Sequence, residues 1–472
     1  MNFLLSHKSI VFNIFAPLFQ IRVRHHSALI MKQLLLFFFV LSNFQLVSQT
    51  NGGINSPFSR FGIGDIVTES PMYIRQMGGI GTSFIDGAQL NFDNPSTLGY
   101  LNQTAFNLGL DFQRANISDS ENQSTQYSGN LGYLALGFTL RNPTNALFSR
   151  EDHKFNLGMG FALLPNSTVS YDISSLDMTE SGEVFNRNFS GSGGSYKFIW
   201  SNAIKAGNFS FGVSTGWLFG QIEYARIIDF ENLAAFDNSF TTEYNMRGFY
   251  SKLGASYLYV MNKAEVNERP GSVAPKSVAF GLTYKPGVGI STNAEVANVN
   301  AVPFATFGVF VDTLFQSTDL DGSGRLPAEL AFGITYNHGL KFALGIDYRT
   351  TFWSNYRNDA NPEELINTTR IGVGGYIRPN YASTAILPRS SYRIGFYYEQ
   401  NPQIIEGNQI ESYGVTAGIG LPLAWQRKFS HVNLGFDMGK RSVSNILSEN
   451  FVKLTFGFTF NESDWFRRYY LD

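Results

Sequence analysis

Runs of about ten residues in which apolar and polar side chains alternate constrain this chain more than any other feature. Phe451 to Phe460 reads FVKLTFGFTF, with Val452, Leu454, Phe456, Phe458 and Phe460 on one parity and Lys453, Thr455, Gly457 and Thr459 on the other. Successive side chains of a strand point to opposite faces, so this segment has one continuous apolar face and one polar or small face. Thr104 to Gln113 and His431 to Lys440 repeat the code, the first with Phe106, Leu108, Leu110 and Phe112 against Asn107, Gly109, Asp111 and Gln113. A soluble sandwich can use one such strand. A series of them, separated by turns, specifies an all-β chain folded as a transmembrane antiparallel barrel, in which lipid-facing and lumen-facing residues take turns.

Composition agrees. Only 15% of the 472 residues are charged, against about 25% in soluble domains, and 44 Phe and 23 Tyr supply much of the apolar parity. No cysteine is present, which excludes disulfides and thiolate metal sites. Four of the 35 Lys and Arg fall in the first 48 residues with no acid beside them, leaving 31 bases against 37 acids. That balance gives no basic footprint for nucleic acid.

Met31-Lys32-Gln33 followed by LLLFFFVLS has the basic, apolar and small-residue order of a secretory signal, with cleavage expected after Ser48. Residues 1–30 are read as an upstream mis-start, the alternative being a leader extension, so 1–48 form the leader. Beyond it no run approaches the ~18 apolar residues of a membrane helix. Residues 49–102 are expected to form a hatch, 103–461 the barrel and 462–472 a tail. The hatch stretch is Gly-rich and lacks a period of two. Its Phe58, Phe61, Ile63, Met77, Ile80, Phe84 and Phe92 are too many apolar groups for a solvated tail.

In this stretch Gly78, Gly79 and Gly81, then Asp86, then Asn94-Pro95-Ser96 resemble the N-terminal hatch of FadL-type outer-membrane proteins, which transport hydrophobic compounds. A second likeness is Asp347 with Trp353, Ser354 and Tyr356. Asn55 to Gly64 is similar to a variant found in barrels of bacteria with type IX secretion. The resemblance implies 14 strands, whereas the alternation yields 15, one too many for an even-numbered barrel. The extra one is expected near Phe304 to Phe315. Tyr348, Trp353 and Tyr356 are read as an interfacial aromatic girdle.

No constellation for chemistry emerges. Asp319 to Gly324 imitates the start of a calcium loop but lacks the Glu at position 12, and reads as a strand-connecting turn. His153, His338 and His431 sit in no nucleophile motif. No catalytic residue, metal or cofactor is expected, and the chain is read as a non-enzyme. Glycine at inward positions is more informative: Gly109, Gly137, Gly158, Gly281, Gly333, Gly345, Gly395, Gly435 and Gly457 each follow a large apolar residue. Such glycines mark places where another backbone comes close, so the lumen should be crowded.

The hatch charges Arg60, Asp65, Arg75 and Asp86 are expected to find partners among the lumen-facing Asp111, Lys341, Asp347, Arg393, Asp437 and Lys453. Two functions remain open for such an outer-membrane barrel. One is a passive conduit for small hydrophobic or amphipathic molecules gated by the hatch, which the FadL resemblance implies. The other is a non-transporting scaffold that binds a secretion-system protein through loops such as Thr179 to Ser192 and Ile228 to Phe240. Outer-membrane lipid surrounds the barrel in both.

Overall fold

The computed structural model describes residues 56–120, 122–141, 154–180, 182, 184–229, 237–269, 272–304, 308–425, 428–444, 446–463 and 465. The expected leader and most of the expected tail lie outside the described residues.

Antiparallel strands pair in chain order and close on themselves as a 14-stranded ring. They are β1 (Thr104–Ser118), β2 (Gln123–Thr139), β3 (Phe155–Thr168 and Tyr171–Met178), β4 (Val184–Ala206), β5 (Phe209–Asp229) and β6 (Asp237–Val260). Next come β7 (Lys276–Lys285 and Gly289–Phe304), β8 (Gly308–Arg325 and Glu329–His338), β9 (Phe342–Thr351) and β10 (Thr368–Ile377). The last four are β11 (Ser391–Ile405), β12 (Asn408–Trp425), β13 (Lys428–Val443) and β14 (Leu447–Glu462). Closure comes from β14 on β1, from Ser448 opposite Ser118 to Glu462 opposite Thr104. A closed ring pairs backbone groups that lipid cannot satisfy. Among the described residues no helix is long and apolar enough to cross a membrane.

The extra strand has a structural cause. Of the stretch Phe304 to Phe315, the residues from Gly308 on share one strand, β8, with Leu330 to Asn337, interrupted at residues 326–328, so one strand counts twice in the alternation. The turn expected at Asp319 to Gly324 lies inside the upper piece of β8, where a register shift and a left-handed Asp319 (φ 55°) mark a bulge. Of the stretches expected as loops, Val184 to Ser192 is strand, and Ile228, Asp229 and Asp237 to Phe240 are strand ends, residues 230–236 lying outside the described residues.

Two departures from an even ring matter. First, β9 and β10 have 10 residues each, enough to cross a bilayer, whereas β4, β5 and β6 have 23, 21 and 24. With the upper pieces of β3, β7 and β8 they continue past one end of the ring as a six-stranded flange. Second, β2 and β3 pair only from Leu134 opposite Leu163 to Thr139 opposite Gly158 and separate above that level. Into this seam comes the N-terminal segment, whose Asp65 and Ile66 pair with Thr168 and Ser167 of β3.

Alternation sets the facing as expected. Leu454, Phe456 and Phe460 are exposed on the outer face, while Thr455 between them is buried.

Candidate functional site: the occupied lumen

Residues 56–101 form four short pieces rather than a regular element: a 3-10 turn at Pro57–Arg60, the pair Asp65–Ile66, one helical turn at Met72–Arg75 and a 3-10 turn at Pro95–Tyr100. Local chemistry fixes each. Gly78 and Gly79 end the helical turn at φ 69° and 79°, a left-handed conformation that glycine adopts without steric cost. Asn94 caps the last turn by accepting from the Ser96 N–H, and its own amide donates to the Thr82 carbonyl at 2.7 Å and to Ser256 Oγ of β6 at 3.1 Å. Most residues of the segment are buried.

Its partners are the inward faces of the ring. Every one of the nine inward glycines picked out from the sequence has an atom of residues 72–98 where its Cβ would stand. At Gly281 of β7 that atom is the Thr82 carbonyl, and at Gly158 of β3 it is the Leu98 carbonyl. Backbone approaches backbone at both places, which only a missing side chain permits.

A chain of buried charges ties the segment to the wall. Glu69 lies between Lys197 of β4 and Lys252 of β6, with Lys252 Nζ at 2.7 Å, and accepts from Tyr250 Oη at 3.0 Å. Lys252 also faces Glu329 of β8 at 3.9 Å; Lys285 of β7 and Arg349 of β9 flank the same carboxylate at 3.2 and 3.8 Å. Arg349 then reaches Asp93 of the segment at 3.0 Å, and Asp93 accepts from Ser70. Arg75 bonds Asp111 of β1 at 3.0 Å and the carbonyls of Thr68 and Ser70. Burial pushes the Glu69 carboxyl up, but Lys197 and Lys252 outweigh it and hold the group well below the usual carboxylate range.

A second clasp sits nearer the flange. Arg441 of β13 donates to both oxygens of Asp65, at 2.7 and 3.1 Å, and to Glu449 of β14 and Ser56 Oγ, each at 2.7 Å.

Of the residues singled out from sequence, Arg75 and Asp111 lie together in an ion pair. Asp65 finds an unforeseen partner in Arg441. Asp347 is buried and accepts from Thr82 N and Oγ1 at 2.6 and 2.8 Å, so its partner is a hydroxyl and an amide rather than a cation. Arg393 reaches Gln76 and Asn433 at 2.9 and 2.7 Å. Asp437 lies opposite Lys453 in register and accepts from Tyr397.

Gly81 packs on Asp93, and Pro95 packs against Gly212 and Gly254 of the wall. Asp86 accepts from Ala88 N and Gln89, closing its own turn.

Three expectations are corrected. Arg60 is exposed, and its guanidinium lies 4.2 Å from the Phe189 ring centroid instead of on a carboxylate. Lys341 is exposed in the turn before β9, because the strand begins one residue later. Trp353 and Tyr356 do not join a girdle: both are buried against Ile63 of the segment and Tyr244 of β6, because β9 ends at Thr351 and the chain turns inward. His153 lies outside the described residues.

Sequence reading missed Glu69, Lys197, Lys252, Lys285, Glu329 and Arg349 as a group. The available signal was a lone charge on the inward parity of an otherwise apolar or aromatic strand, as with Lys197 between Tyr196 and Phe198.

The solved structures most like this one include a FadL homologue from Pseudomonas aeruginosa (11% identity, TM-score 0.54, 84% of this chain and 99% of that one). Two toluene transporters are also similar. TbuX of Ralstonia pickettii has 15% identity and a TM-score of 0.52 over 84% of this chain and 99% of its own, and TodX of Pseudomonas putida has 14% and 0.51 over 85% and 100%. At these identities the likeness is one of fold, and the fold is FadL-like. A search of curated proteins finds no match. One family model does match, that of BamG, and it runs over residues 30–472. Because that span takes in the whole barrel and the segment inside it, the chain belongs to the BamG family.

Proposed function

We propose that this chain is an outer-membrane barrel whose lumen is closed by its own N-terminal segment, a hatch over residues 49–102, and that it works as a partner subunit of a machinery that assembles or exports outer-membrane proteins. The observation that carries this reading is the buried network joining Glu69, Arg75 and Asp93 to six wall strands. Removing one partner of a buried ion pair costs ~3 to 5 kcal/mol, so several such pairs make the hatch a fixture. A barrel that does not conduct acts through its surface. The family designation, with its barrel-assembly context, supports the same reading.

A second reading has its own support. A pocket of about 500 Å³, part of it open to solvent, lies between Ile63 and Ile66 of the hatch and Leu218, Leu326 and Trp353. It borders the β2–β3 seam, and the similar folds include toluene transporters. A conduit for small hydrophobic molecules, with the hatch as gate, would use that space.

One pair of measurements separates the two. Purification from native membranes in mild detergent should yield a stoichiometric protein partner, and the barrel in liposomes should admit toluene no faster than protein-free liposomes. A barrel that purifies alone and speeds toluene entry overturns the subunit reading in favour of the conduit.

A further inference from the structure

The flange is bordered by an unusual edge. The upper piece of β8 pairs with β7 along its length, but on its other side only Gly324 and Arg325 have backbone partners, at Asn358 and Arg357. Asp359 then bonds Ser323, the chain turns away, and among the described residues Gly308 to Asp321 face no strand on that side. About half the N–H and C=O groups of an edge strand point outward and are left to water or to another chain.

Natural edges are blunted with Lys, Pro or short length. This one has 18 residues, no Pro, and no Lys or Arg before Arg325. Its two bulges, at Leu314 and near Asp319, leave regular stretches between them.

The apolar residues on this piece cannot be explained by lipid. β9 crosses the bilayer beside the lower piece of β8 with 10 residues, so the upper piece rises past the membrane, by on the order of 50 Å at ~3.3 Å per residue. Val311, Leu314 and Phe315 are nevertheless 56, 54 and 53% exposed. Clustered apolar exposure in water marks an interaction surface.

We infer that an extended segment of a different protein, carrying Lys or Arg, adds as a strand to the free edge of β8 between Gly308 and Asp321. Strand addition draws affinity from main-chain hydrogen bonds and specificity from alternate side chains. The charge on this edge selects the partner: Asp312, Asp319 and Asp321 are acidic, no Lys or Arg precedes Arg325 on the piece, and across the sheet Asp312 and Asp321 face Asn300 and Asn293 rather than bases. Two copies of this chain paired symmetrically about Phe315–Gln316 or Gln316–Ser317 would set Asp312 opposite Asp319 or Asp321, and like charges directly opposite destabilise a sheet. A basic strand from another protein has no such conflict. The inference rests on the partner-subunit reading and names its surface.

The test places a photo-crosslinking amino acid at Val311, Thr313, Phe315 or Ser317 of the full chain in its native outer membrane, with Leu176 on the opposite border of the flange and Ile394 on the lipid face as controls. Within each pair, Val311 with Thr313 and Phe315 with Ser317, moving the label by two residues should move the cross-link by two residues along one Lys- or Arg-bearing stretch of a single other protein. Charge reversal by Asp312→Lys with Asp319→Lys should cut that yield at least tenfold while heat-modifiable migration shows an intact barrel. Cross-links to this chain itself, to lipopolysaccharide, or to proteins without register overturn the inference, as does a yield indifferent to charge reversal. If Leu176 captures a partner and β8 does not, the subunit reading stands and this edge is not its site. If no position captures a protein, both fall.

Discussion

The lower ring and the flange are built from the same strands and put them to opposite uses. In the ring, the inward parity is rich in small and charged residues and the nine glycines named above each admit an atom of the hatch, so both strand faces end up covered: one by lipid, one by residues 56–101. The upper piece of β8 continues past the hatch and past the bilayer without that alternation, with Leu314 and Phe315 side by side, and both faces stay open. Surroundings therefore specify a strand's role. The hatch turns an ordinary barrel interior into a packed core, and its absence turns an ordinary strand into an exposed surface.

The sharpest way to break this contrast is Glu69→Ala, which leaves Lys197 and Lys252 buried without their carboxylate. The expected loss is ~3 to 5 kcal/mol in hatch attachment, with the ring intact because its strands close without it. Limited proteolysis should show new cuts between residues 56 and 101 while heat-modifiable migration is unchanged. Since Glu69 is held below its ordinary range, its contribution is fully present above the unfolded carboxylate value, about 4.3, and fades only as pH falls below that. Protease protection of the hatch should accordingly be flat from pH 7 to 5 and decline in stronger acid; a decline already at pH 6 would point to another group.

Phe456→Arg tests the outer parity. A cation on the lipid face near the midplane costs roughly 2 to 4 kcal/mol, so this variant should assemble poorly beside Phe315→Arg, whose site lies in the flange above the membrane. Equal yields of the two in outer-membrane fractions would erase the boundary between ring and flange. Gly281→Ala probes the inner parity: its Cβ would stand on the Thr82 carbonyl, and overpacking of this kind costs about 1 to 3 kcal/mol. Its thermal midpoint in detergent should fall, whereas Gly289→Ala, whose added Cβ would meet nothing closer than the Gly324 carbonyl at 3.9 Å, serves as the control for glycine loss alone. The smallest effect is expected for Arg60→Ala, which gives up one exposed ring contact worth ~0.5 to 1 kcal/mol and should leave proteolysis of the hatch near wild type.

The architecture was legible because lipid and hatch both act through period two. Facing, ring closure and even the crowding of the lumen follow from parity and glycine placement in strands such as Phe451 to Phe460. The ion network was not legible, since its members come from the hatch and six separate strands, and a single Lys such as Lys197 looks the same in sequence whether it meets a carboxylate or water. Arg60 and Arg75 illustrate the limit: both are hatch arginines, yet one reaches Asp111 and the other a surface ring. Strand count failed for a related reason. Residues 326–328 interrupt β8 without redirecting it, and a short break leaves the same trace as a turn.

The clasp at Ser56 has a consequence for how the molecule is made. Ser56 Oγ donates to Glu449, 393 residues later, and Glu69 waits for partners 128 and 183 residues downstream. The part of the fold synthesised first is thus secured by the part synthesised last, and contacts so distant in sequence are slow to form. Until β14 reaches β1, an open sheet must keep its Lys-bearing inner surface and its unattached N-terminal segment together; once the ring is sealed, the openings left among the described residues are its two ends and one narrow seam.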